Sequence, residues 1–110
     1  MRFIRENTSR GFDIIKFKDD YGEDCSLQIS SACEPHIWLG ISEIKALIMY
    51  KDAKKLGLNL EKQSPECGEA GWCDYPIPEE VFMPCRMHLT KKQSFKLAIK
   101  LIKFSLFGGI

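Results

Sequence analysis

After Glu80 the chain has no acidic residue: residues 81–110 hold Arg86 and five lysines and carry +6. Residues 1–80 hold 10 bases and 15 acids and carry −5, so the 110-residue chain nets only +1. That balance is too modest for a nucleic-acid footprint, but the asymmetry attracts an anionic ligand or a second subunit. No run approaches the roughly 18 apolar residues of a membrane span. The opening "MRFIRENTSRG" lacks the apolar core of a secretory signal, so the expected compartment is the cytoplasm of whatever cell makes the protein, with no membrane partner. There is no repeat and no low-complexity tract. Also missing are a glycine-rich phosphate loop, a metalloprotease helix and a close carboxylate pair in an apolar setting. These absences argue against an enzyme, and neither catalytic residues nor a cofactor are expected.

The five cysteines, Cys25, Cys33, Cys67, Cys73 and Cys85, are an odd set without the spacing of a small disulfide scaffold, which reads as free thiols in a reducing compartment. "CGEAGWC" and "CRMH" bring three cysteines and His88 into question as zinc ligands. Zinc normally takes two short-spaced pairs converging on a tetrahedron. Cys67 and Cys73 are too widely spaced for a knuckle, and in a strand Cys85 and His88 face opposite sides. No metal is expected. Cys–His nucleophilic catalysis has even less support, because nothing marks an oxyanion hole.

Composition, 45% apolar and 28% charged, is that of an ordinary globular protein, and the length suits one domain over residues 1–110. A two-residue rhythm predicts a strand at 11–18, and "CSLQIS" a second across the "DDYGED" turn. Pro35 breaks the chain, and "HIWLGI" resumes as a third strand. Residues 42–58 carry conflicting signals: "ALIM" fits a buried strand or part of a helix, whereas "YKDAKKLG" is helical up to Gly57. Residues 58–74 read as a surface loop, "YPIPEE" as extended chain, and "VFMPCRMHL" as an edge or bulged strand.

Thr90 and Gln93 form a capping box opening a helix that runs to about Phe107 and stops at Gly108-Gly109. Its residues Phe95, Ala98, Ile99, Ile102 and Leu106 share one face, expected to cover the sheet. Leu97, Leu101 and Phe104 form a second apolar stripe. This stripe is covered either by the protein's own long loop or by a second subunit, and a homo-oligomer is the expectation. The predicted fold is α+β: an antiparallel sheet of four or five strands, a short middle helix, and a C-terminal helix packed on one face.

The residue types around that helix start suit an anion. Helix N-termini favour negative charge, Arg86, His88, Lys91 and Lys92 surround this one, and Trp38 offers a stacking face. The alternative is a core Trp38, a satisfied His88 and a solvated first turn.

Six strings recur together along the chain: Arg10 to Phe12, Asp19 to Gly22, Cys25 to Ser31, Ile37 to Gly40, Pro76 to Glu79, and Arg86 to Thr90. In this pattern the chain resembles a family of short, largely uncharacterised proteins encoded by bacteriophages and prophages. "CSLQISS" and "RMHLT" are the most specific strings, and the resemblance covers nearly the whole chain. The lysine-rich, apolar "KQSFKLAIKLIKFSLF" departs from the more acidic helix usual in that family. The polar and aromatic motif residues gather at strand ends, where neutral donors and acceptors can orient a small ligand. The expected ligand-binding set is therefore Gln28, Ser30, Ser31, Trp38, Arg86 and His88. Two expectations come from the phage resemblance together with these residues. One is a counter-defence protein that sequesters a small phosphorylated or nucleotide-like immune signal. The other is a protein-binding inhibitor of a host defence complex, anti-CRISPR-like, acting through the last helix. A structural or replication accessory protein is a third.

Overall fold

The structure, a computed structural model, describes residues 1–64 and 71–110. They form two compact units, residues 1–43 with 85–110, and residues 44–84.

The first unit is a five-stranded antiparallel sheet and one helix. Its strands are β1 (Ile4–Asn7), β2 (Asp13–Lys18), β3 (Asp24–Ile29), β4 (His36–Ile41) and, after residues 44–84, β7 (Arg86–Thr90), ordered β1-β2-β3-β4-β7. Register explains the residue pattern. Glu6, Ile14, Gln28, Trp38 and His88 lie opposite one another across all five strands, on one face. The alternate positions, among them Ile15, Leu27, Leu39 and Met87, form the other face. One face is therefore polar and aromatic and the other aliphatic, as the two-residue period of a strand requires. Between β2 and β3, Asp19 accepts hydrogen bonds from the Tyr21 and Glu23 amides and shapes the expected turn.

Helix α2 (Lys91–Phe107) follows β7 directly. Thr90 Oγ1 accepts from the Gln93 amide at 3.1 Å, and Gln93 Oε1 accepts from the Thr90 amide at 3.0 Å, completing the capping box. Gly108, at φ 74°, ends the helix in the left-handed conformation. The helix meets β7 and β4, but not with the expected face. Phe95, Ile99, Ile102 and Leu106 are exposed, and the half-buried positions are Ser94 and Leu97. Periodicity marks which residues share a face; it carries no information about what that face meets.

In the second unit β5 (Leu47–Met49) pairs antiparallel with β6 (Trp72–Asp74), and α1 (Tyr50–Lys55) follows β5. The conflict at 42–58 resolves as both a strand and a helix. The loop expected over 58–74, of which 65–70 lie outside the described residues, needs correction at its end, which is β6, whose Cys73 is fully buried along with Ala53 of α1. Gln63 Nε2 donates to Asp74 Oδ1 at 2.6 Å and holds the approach to that strand. The strand expected over 81–89 begins only at Arg86, since Pro84 lacks the amide a ladder needs. Among the described residues no helix is long and apolar enough to cross a membrane.

Candidate functional site

The polar face gathers the predicted site residues. Gln28, Trp38 and His88 are direct cross-strand neighbours on β3, β4 and β7. The His88 ring stacks on Trp38 with centroids 4.1 Å apart, and on His36 at 4.5 Å. The Arg86 guanidinium lies over the Trp38 ring, 5.6 Å from its centroid. An Arg, Trp, His and His column thus crosses two strands, with each member on the π face of the next.

Hydrogen bonds orient the members. Arg86 Nη1 donates to Gln28 Oε1 at 2.7 Å, which turns the two N–H donors of the Gln28 amide toward other partners. His88 Nε2 and Ser30 Oγ are 2.8 Å apart, and Ser30 Oγ also accepts from the Ala32 amide. His36 Nδ1 donates to the Glu34 carbonyl at 2.9 Å, so the neutral ring presents Nε2 as an acceptor.

Gly40 makes the arrangement possible. A Cβ there would stand 2.8 Å from the Cys85 carbonyl oxygen and 3.0 Å from Arg86 Cα, and 3.4 Å from Arg86 Cγ. Without one, β7 comes close to β4 and the Arg86 stem crosses over Gly40 toward Trp38 and Gln28.

A concavity of about 390 Å³ opens beside the column, lined by Thr8, Ser9, Arg10, Phe12, Gln28, Ser31 and Trp38. This volume is within the range of small-molecule sites. The β1–β2 turn supplies its far wall. Thr8 accepts from the Gly11 amide through its carbonyl and from the Phe12 amide through Oγ1, closing a tight turn that presents Arg10 over the Phe12 ring. Arg10 and Phe12 were visible as a motif, but spacing gave no reason to bring them to Gln28 and Trp38. A larger concavity of about 740 Å³, lined by residues including Met1, Lys16, Phe17 and Asp24, contains none of the predicted site residues.

At the start of α2 the N3 amide is taken by Thr90, Arg86 turns to Gln28, and neither Lys91 nor Lys92 lines the 390 Å³ concavity. Arg10 is the cation among the residues lining that concavity.

Cys25, Cys33, Cys73 and Cys85 are free thiols; Cys67 lies outside the described residues. Burial, reinforced by Asp19, pushes the Cys25 thiol above its ordinary value. Cys85 Sγ donates to the Ile41 carbonyl at 3.3 Å while His88 is held by Ser30 and Trp38, so the two serve different partners. The site offers stacking planes, amide and hydroxyl donors and guanidinium groups, which suit recognition of a planar anion. No family model, curated protein or solved structure matches the chain.

Proposed function

We propose that this protein binds a small anionic molecule with a planar ring, such as a phosphorylated or nucleotide-like compound, and performs no chemistry on it. The observation that carries the reading is the 390 Å³ concavity bounded by the Trp38 ring, the Gln28 amide and Arg10. The ring lies against the side of Trp38 that borders the concavity, Gln28 donates to ring or sugar oxygens, and Arg10 pairs with the phosphate. The motif resemblance to phage proteins supplies the biological setting: sequestration of a nucleotide-like immune signal in an infected cell. A second reading, inhibition of a bacterial defence complex by direct contact, draws on the exposed apolar residues of α2.

Thermal unfolding against a panel of nucleotides and cyclic nucleotides tests the first reading. A ligand that binds only the native state, at about 100 times its dissociation constant, adds about 2.7 kcal/mol. In a domain of about this size that raises the melting point by roughly 10–20 °C. Arg10→Ala should leave the free protein's melting point nearly unchanged and abolish most of the rise. A panel without any stabiliser, or an Arg10→Ala protein that responds like the parent, removes the small-ligand reading and leaves protein inhibition in its place.

A further inference from the structure

Two surfaces of the first unit lack the cover their composition requires. The aliphatic sheet face has Ile15, Leu27 and Leu39 only half-buried, and Ile29 and Met87 45% and 50% exposed. Antiparallel sheets tolerate one solvated face, and that place is already taken here by the polar face. Helix α2 in turn has no buried residue, and Phe95, Ile99, Ile102 and Leu106, which share one stripe, are 48–70% exposed.

We propose that α2 of one copy of this chain covers the aliphatic sheet face of a second copy, and reciprocally. The proposal is independent of the ligand reading. Area supports it: at about 100 Å² of exposed surface apiece, the four side chains of this one stripe present about 400 Å². Two reciprocal contacts, counting both partners, bury on the order of 1,600 Å², the size of a standard stable interface. Charge supports the choice of partner surface. Five lysines and no acid lie on α2, while residues 1–43 carry 8 acids against 5 bases. Pairing two α2 helices would set lysines against lysines, whereas seating α2 on the sheet places it beside a segment of opposite net charge. A two-fold axis then satisfies both surfaces with one kind of contact and leaves no open end.

Light scattering on the full chain, with two variants and their mixture, is the test. The parent should be a dimer at micromolar concentration. Ile102→Glu, on the helix, and Ile29→Lys, on the sheet, should each weaken association by roughly 30-fold or more, the size of an interface hot spot. Circular dichroism should show both still folded. An equimolar mixture should regain dimer, because the intact helix of one variant meets the intact sheet of the other. A monomeric parent overturns the proposal. So does an Ile29→Lys protein that stays dimeric, or a mixture that stays monomeric, since either assigns the contact to helices alone or to none. Should Ile102→Glu fail to fold, Ile99→Glu on the same stripe replaces it in the mixture, where regained dimer again supports the proposal and persistent monomer overturns it.

Discussion

Replacing Gly40 with alanine puts a methyl carbon 2.8 Å from the Cys85 carbonyl oxygen and 3.0 Å from Arg86 Cα. Both obstacles are backbone, so rotating a side chain cannot relieve them. Either β7 moves away from β4 or β4 deforms, and such overpacking costs about 1–3 kcal/mol. For a domain near this size each kcal/mol lowers the melting point by roughly 4–8 °C, so Gly40→Ala should melt about 5–20 °C below the parent. The movement also carries the Arg86 stem off its path and lengthens the 2.7 Å bond to Gln28. Gly108→Ala provides the comparison. Gly108 sits at φ 74° with nothing within 4 Å of an added Cβ, so it reports the left-handed backbone alone, about 1 kcal/mol. Differential scanning calorimetry on the three proteins measures both drops. If Gly40→Ala loses no more than Gly108→Ala, the close approach of β7 is wrong, and with it the placement of Arg86 over Trp38.

Thr90→Ala removes the hydroxyl that caps the Gln93 amide and should cost about 1 kcal/mol in urea unfolding; an unchanged midpoint would mean that the capping box contributes nothing. Arg86→Ala leaves the part-buried Gln28 Oε1 without its donor and should cost about 1 kcal/mol, with the same measurement deciding. Alkylation followed by mass spectrometry should modify exposed Cys33 first, with buried Cys25 and Cys73 protected in the native protein; equal rates would refute the packing around Cys25. The folded Cys25 thiol ionises above its ordinary value of 9.0. Its contribution to stability is therefore complete below that pH and lost as pH rises through the folded value. Cys25→Ala should flatten this alkaline loss, and a denaturation series across the alkaline range reads it.

Local signals read best where the chain punctuates itself. Pro35 before "HIWLGI" delimits β4, and Thr90 with Gln93 opens α2, because each signal lies within a few residues of the boundary it sets. β1 escaped notice because three of its four residues, Arg5, Glu6 and Asn7, are polar, as suits an edge strand with little to bury. β6 escaped because three residues beside a glycine carry no period, and it holds the fully buried Cys73 all the same. The candidate site residues were legible as types: Gln28, Trp38, Arg86 and His88 are polar or aromatic where a fold needs only apolar alternation. Their meeting depends on register, which aligns Gln28, Trp38 and His88 across strands separated by a turn and by residues 44–84. Arg10 joins them only through the closed Thr8 turn.

Because β4 and β7 are neighbours in one ladder, with Gly40 opposite Arg86, residues 44–84 enter and leave the sheet at adjacent points. In topological terms they occupy the turn of a hairpin. Loop-closure entropy grows only with the logarithm of length, about 0.6 kcal/mol for each doubling, so this turn can lengthen, shorten or be exchanged at little thermodynamic cost. The ladder that aligns Trp38 with His88 is defined by its own hydrogen bonds. Its rungs, and with them the pairing of Trp38 with His88, do not depend on the length of the chain between the two strands.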